Sequence, residues 1–134
     1  MKTLVLDSWG ILEWIQGRQP ASGLMDTLFA EGETGAARLL ISAINVGEVY
    51  YFLRKKHSEK LARDWRESAP TLPVTIEVPS LEDIWSAATL KGLYPISYAD
   101  AFAAALAQKY NCPVVTGDVE FKSMDQLELD WIGR

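Results

Sequence analysis

The sequence predicts an α/β protein built on a mainly parallel sheet of about five strands, with helices covering both faces. Short apolar runs such as Thr3-Leu4-Val5-Leu6 and Pro113-Val114-Val115-Thr116 are continuous rather than alternating, as strands buried on both faces are. Between successive runs lie one or two segments with apolar residues at helical spacing, the crossover that parallel pairing needs. The runs also end on acids. Asp7 directly follows the first, and Asp118 closes Thr116-Gly117-Asp118 after the fourth. Open α/β folds place their sites at this C-terminal edge of the strands.

Each element has its own local signal. After the strand Thr3–Leu6, Ser8 can cap a helix over Trp9–Gln16, where Ile11, Leu12 and Ile15 share a face. Gly17 to Pro20 breaks it. A second helix over Ala21–Ala30 aligns Leu24, Met25, Leu28 and Phe29, and residues 31–35 read as a loop. Arg38–Ser42 is the second strand. Asn45 then opens a helix through Lys56, with Val49, Phe52 and Leu53 inward, followed by another over Glu59–Ser68. Thr75–Val78 is the third strand, and Ser80 caps a helix to Lys91 that Gly92 closes. Tyr98–Tyr110 is an alanine-rich helix ended by a left-handed Asn111, and Pro113–Thr116 is the fourth strand. A turn of helix falls within Glu120–Gln126, and the alternating Leu127–Trp131 is a strand at the sheet's edge.

With 134 residues the chain reads as one domain over 1–134, large enough to bury most of its apolar surface. Hydrophobic residues make up 49% and mean hydropathy is −0.01, the balance of a soluble globular protein. No apolar run approaches the roughly 20 residues that span a bilayer, and the N-terminal run is too short for a signal peptide. A cytoplasmic location is the default expectation. Cys112 and His57 are the only residues of their kinds, which excludes a disulfide and cysteine- or histidine-rich metal cages. The net charge of −5 and pI near 4.8 argue against a protein that holds nucleic acid by its phosphates alone, unless a clustered acidic site skews the total.

The acids have a bland reading as caps. Asn45-x-x-Glu48, Ser97-x-x-Asp100 and Ser80-x-x-Asp83 all match the pattern in which an acid at the third helical position reaches back to the cap residue. Asp7 after a strand is a common cap as well. Topology separates them. Asp7, Glu48 and Asp118 follow apolar strands, and Asp100 opens the helix that leads into the fourth strand, so all four belong to one sheet edge. Carboxylates crowded there repel one another unless a cation neutralises them, and oxygen ligands without His or Cys favour Mg²⁺ or Mn²⁺ over zinc. Asp83 follows a peripheral strand and is read as a cap.

These residues also resemble a known family. Leu4–Ser8, Ile41–Val49, Ser97–Ala107 and Val115–Phe121, in order and spacing, are similar to PIN-domain ribonucleases, specifically the VapC-type toxins of type II toxin–antitoxin systems. The resemblance covers essentially the whole chain. It implies a three-layer α/β/α PIN-like domain and a Mg²⁺- or Mn²⁺-dependent endoribonuclease. Asp7, Glu48 and Asp100 would be the core metal ligands, Asp118 a more variable fourth, and Thr116 an accompanying hydroxyl. Glu120 falls where the family often carries another acid and is a further candidate. The implied partners are RNA, a cognate antitoxin and a second copy in a homodimer, with Leu24, Leu28, Tyr50 and Tyr51 as candidate interface residues. Trp9 stands where a small polar residue is common, and Val119 where a proline is; both bear on loop shape and substrate fit.

On this reading Asp7 and Asp100 hold the metal most directly, while Glu48 and Asp118 act through water or orient the nucleophile. Ser8 and Asn45 are caps. Arg54-Lys55-Lys56 with Lys60 and Arg63 offers a basic patch whose simpler explanation is a solvated helix end. Alternatives are a PIN nuclease of RNA processing, a catalytically silent PIN-like binding module, an aspartyl phosphatase and a phosphotransfer receiver. The phosphatase wants a second Asp where Trp9 stands. The receiver wants an acidic pair at Asp7, which stands alone. A silent module is expected to have lost some of the four acids, and none is missing.

Overall fold

Leu4, Val5 and Leu6 fill the centre of the sheet because they have no polar face to turn to water; all three are buried. A computed structural model describes residues 1–134. Five strands, β1 (Lys2–Leu6), β2 (Ala37–Ser42), β3 (Thr75–Glu77), β4 (Val114–Thr116) and β5 (Leu129–Trp131), form one sheet in the order β3-β2-β1-β4-β5. Every pairing is parallel, with Leu4 opposite Leu39, Val5 opposite Val114 and Thr116 opposite Trp131. The chain works outward from β1 to β3, then crosses back to β4 on the other side of β1. The switch point between β1 and β4 is where open sheets leave a crevice.

Two cores follow from the period of two along each strand. Leu4, Leu6, Leu39 and Ile41 pack on one face under α1 (Ser8–Ile15), α2 (Ala21–Thr34), α3 (Ala43–Lys56) and α4 (Glu59–Ser68). Val5, Leu40 and Val114 pack on the other under α5 (Leu81–Leu93) and α6 (Tyr98–Tyr110). Small residues along α6, Ala101 and Ala103 to Ala105 among them, let that helix lie close to the sheet. This is the expected three-layer α/β/α architecture. No helix is long and apolar enough to cross a membrane.

The strands fall within about two residues of their sequence positions, and the helix ends deviate more. α2 runs on through Thr34, across the expected loop, and stops at Gly35 with φ of 82°. Gly92 lies inside α5 and is not its terminator; the helix ends at Tyr94, in extended backbone. α3 begins two residues before Asn45, because Ser42 is its cap and accepts the Ile44 N–H. Asp7 rather than Ser8 caps α1. Asn111 does end α6 in the left-handed region, at φ of 50°.

After β4, a single 3-10 turn (Val119–Ser123) is held by Phe121, which is fully buried against the second core. Phe121→Ala should destabilise the protein by about 3–5 kcal/mol in urea denaturation. A loss below about 1 kcal/mol would show that the turn does not depend on this anchor.

Candidate metal centre at the sheet edge

Asp7 leaves β1 fully buried and has both carboxylate oxygens engaged. Its Oδ1 accepts the Gly10 N–H at 3.0 Å, as a helix cap does, and its Oδ2 accepts the Thr116 hydroxyl at 2.6 Å. The Thr116 Oγ1 in turn accepts the Asp118 N–H at 3.0 Å. One side chain therefore ties the end of β1 to the end of β4 and fixes the start of the loop that carries Asp118.

Asp100 answers the question that local spacing left open. At Ser80 and Asp83 both halves of the capping box form: Ser80 Oγ accepts the Asp83 N–H, and Asp83 accepts the Ser80 N–H at 2.9 Å. At Ser97 and Asp100 only the first half forms, with the Asp100 N–H donating to Ser97 Oγ at 3.1 Å. The Ser97 N–H goes instead to Glu120 Oε2, at 3.1 Å. Glu120 takes over the capping task and releases the Asp100 carboxylate, which is buried to 5% exposure.

Asp100, Asp118 and Glu120 each offer a carboxylate oxygen, and these atoms lie within 4.8 Å of one another. Asp118 is the middle of this trio and accepts the Glu120 N–H at 3.0 Å. Glu48, half-buried in the second turn of α3, lines the same cleft of about 260 Å³ with Ser8, Trp9, Tyr51 and the three clustered acids. All the acids singled out in the sequence thus reach one edge. The tightest grouping, however, contains Glu120, a lesser candidate in sequence, while Asp7 sits behind the cleft with both oxygens bonded to the protein. Glu120 sits in a 3-10 turn whose fold-back toward Ser97 has no local sequence signature.

The electrostatics are those of a site short of positive charge. Burial pushes the Asp7 carboxyl up from 3.8 to about 7, against the lowering effect of Thr116 and the Gly10 N–H; Asp118 and Glu48 push it further up. Asp100 is raised strongly as well, first by burial and then by Glu120, Asp118 and Asp7 around it. Glu48 raises the phenol of exposed Tyr51, a neighbour that the sequence did not assign to the site. An all-oxygen donor set of this kind fits a hard divalent cation such as Mg²⁺ or Mn²⁺.

Asn45 and Ser8 cap neither α3 nor α1. Asn45 is fully buried, and its Nδ2 donates to Ser8 Oγ and to the Ala99 carbonyl, both at 3.1 Å. Ser8 returns a hydrogen bond to the Asn45 carbonyl at 3.3 Å. The pair joins the starts of α1, α3 and α6, which carry Asp7, Glu48 and Asp100. Trp9 closes one side of the cleft and lies so close to Gly117 that a Cβ there would come within 2.3 Å of the indole. Within the basic stretch, Arg54 pairs with Glu59 at 3.6 Å and Lys60 with Asp64 at 2.9 Å.

A parallel sheet with a carboxylate cleft at its switch point defines an α/β protein of the acidic-site class. The chain belongs to the PIN domain family, whose model matches residues 4–127. That family is one of nucleases. No curated protein sequence matches significantly. Among solved structures, the chain is similar to DNA-bound VapBC from Salmonella typhimurium at 15% identity, covering 98% of each chain with a TM-score of 0.76. It is similar to VapBC2 from Rickettsia felis, bound to a promoter DNA fragment, at 17% identity, covering 96% of this chain and 98% of that one with a TM-score of 0.73. It is also similar to VapC20 from Mycobacterium tuberculosis, a sarcin-ricin loop cleaving toxin, at 14% identity, covering 89% and 92% with a TM-score of 0.73. At these identities the likeness is one of fold.

Because Asp7 holds its proton more tightly folded than unfolded, the native state binds the extra proton between about pH 4 and 7. Stability gained from that proton is full below pH 4 and is lost as pH rises through 7. Thermal unfolding in EDTA should therefore show a melting temperature lower at pH 8 than at pH 5, by roughly 5 °C or more. Mg²⁺ or Mn²⁺ should restore it at pH 8, and a melting temperature flat across this range would contradict the assigned burial.

Proposed function

We propose that the chain, acting as one PIN domain over 1–134, is a metal-dependent endoribonuclease and the toxin of a toxin–antitoxin pair. The observation that carries this reading is the meeting of Asp100, Asp118 and Glu120 within 4.8 Å. Capping accounts for Glu120 and for Asp118 beside it, but not for the buried Asp100 carboxylate that lies with them. Asp100, Asp118, Glu120 and Glu48 would hold Mg²⁺ or Mn²⁺ in the cleft, with Asp7 at its floor. A divalent cation bound there supplies charge neutralisation on the phosphodiester and lowers the pKa of a water. The chain's own residues do the positioning. Asp7 fixes Thr116 and the Asp118 loop, Asn45 and Ser8 fix the three helix starts, and Glu120 holds Ser97 while leaving Asp100 free.

RNA as the substrate is supported by the likeness in fold to a sarcin-ricin loop cleaving toxin. An antitoxin partner is supported by likeness to VapBC complexes and to a toxin–antitoxin complex from Klebsiella pneumoniae, and a cytoplasmic location follows from that reading, as two VapBC complexes are bound to DNA. A second copy finds an apolar face at Val78, Leu81 and Trp85, which are 79%, 62% and 58% exposed. Of the interface residues expected from sequence, Leu28 is buried in the core and unavailable, while Leu24 and Tyr51 are exposed. The presence of every acid counts against a silent module.

Purified protein should cleave RNA with Mg²⁺ or Mn²⁺ and lose that activity in EDTA. Asp100→Asn and Asp118→Asn should each slow cleavage by on the order of a hundredfold or more. Asp100→Asn should at the same time raise the melting temperature in EDTA at neutral pH, since it removes a buried acid that folding forces to take up a proton. Cleavage that survives EDTA and both substitutions would overturn the metal-centre reading.

A further inference from the structure

Asp118 and Glu120, two of the three clustered acids, stand on the short span between Thr116 and Phe121. The core holds that span at its ends. Thr116 and Phe121 are fully buried, whereas Asp118 is half-buried, Val119 is 69% exposed and Glu120 is exposed. Asp118 is tied by its N–H to Thr116 Oγ1 and by its carboxylate to the Glu120 N–H, both at 3.0 Å and both across two residues of sequence. Exposed spans with few buried contacts open easily, yet a cation site works best when its oxygens are in place before the ion arrives. Something else must steady Asp118.

The residue before it supplies the contact. A Cβ added to Gly117 would come within 2.7 Å of Cζ2, Cζ3 and Cη2 of Trp9, the far edge of the indole. The glycines with positive φ are Gly17 and Gly35, so Gly117 is not needed for its backbone angle. What requires glycine there is the close approach of the ring. Gly133 packs on the same residue, and a Cβ added to it would lie 2.9 Å from the Gly117 Cα. Alongside, the Ile132 N–H donates to the Thr116 carbonyl at 3.0 Å. The backbone under the indole is itself fixed. Ser8 and Gly10 on either side of Trp9 are buried, with Ser8 bonded to Asn45 and the Gly10 N–H to Asp7.

We infer that Trp9 is a positioning residue for the acidic centre: its indole, wedged on Gly117, holds Asp118 in the cluster. The start of α1 then acts twice on one segment. Asp7 caps the helix and grips Thr116 by a hydrogen bond, and Trp9, two residues on, grips Gly117 by contact. Both grips come before Asp118 in the chain and set where its carboxylate emerges. The same ring walls the acidic cleft, so the wedge lies beside the oxygens it steadies. The assignment deepens the metal-centre reading and rests on it for the consequence at the cation. Partners that orient a ligand without touching the metal change affinity by about 10–100-fold.

Trp9→Leu removes the ring edge that meets Gly117 and keeps an apolar side chain on α1. In EDTA, amide hydrogen exchange at Asp118 should become about tenfold or more faster in this variant, over and above any change at Val5 and Leu6 in β1. An Asp118 rate that is unchanged, or that shifts no more than those of Val5 and Leu6, shows a ring that only adds to the core and overturns the assignment. Gly117→Ala, which drives the ring away, carries the same comparison should Trp9→Leu not fold. Calorimetric titration with Mn²⁺ should show affinity about tenfold or more weaker in each single variant. The double variant should lose little beyond either, because the added Cβ then has no indole to displace. Losses that multiply, or a Trp9→Leu affinity equal to that of the wild type, overturn the assignment as well. If the wild-type protein takes up no Mn²⁺, the metal-centre reading fails, and the Asp118 exchange rates alone decide whether Trp9 holds the segment.

Discussion

Carboxylates buried side by side resist ionisation unless a positive charge joins them, and the edge between β1 and β4 is shaped by that constraint. Asp7 illustrates its size. The rise of its pKa from 3.8 to about 7 corresponds to on the order of 4 kcal/mol in favour of the proton. A whole domain is stable by only about 5–15 kcal/mol, so a fold that ionised several such groups without a counter-ion would approach unfolding. The two donors that Asp7 receives offset part of the cost. The remainder is the cost that a cation at the proposed centre would relieve.

The same constraint explains why Glu120 matters. A helix that starts at Ser97 needs a partner for the Ser97 N–H, and the acid at the third position is the usual one. With Asp100 in that role its carboxylate would face the cap, as Asp83 does at Ser80. Glu120 reaches the Ser97 N–H from the 3-10 turn after β4, across 23 positions of sequence. The distinction between a structural cap and a candidate ligand lies in this contact. No window around Asp100 contains it, which is why Ser97-x-x-Asp100 and Ser80-x-x-Asp83 read alike in sequence.

Elements defined by burial were legible, and those defined by tertiary partners were not. Apolar runs such as Leu4–Leu6 and Val114–Val115 have one way to satisfy both their side chains and their backbone, so the strands, their parallel pairing and the edge placement of the acids were legible, while the strand order was not. Helix ends depend on weaker preferences. Gly92 carries a terminator's residue type, yet the helix runs past it, with Leu90 buried and its carbonyl accepting the Tyr94 N–H. Ser42 outcompetes Asn45 as a cap because β2 ends there, and Asn45, drawn inside, becomes a bracket between Ser8 and Ala99.

Charge sets a further condition on the proposed reaction. Protein and RNA are both negative, so long-range attraction cannot gather the substrate. At physiological salt the Debye length is about 8 Å, and acids far from the cleft are screened from a strand bound there. Several are also paired, as Glu31 is with Lys2 and Asp64 with Lys60, both at 2.9 Å. What the strand meets is local: acids that call for a cation, and an indole held against Gly117. Phosphate contacts position a nucleic acid without reading it, whereas stacking and base-edge hydrogen bonds carry sequence information. On the proposed reading, the cation at the acidic centre supplies the phosphate contact that the net charge withholds.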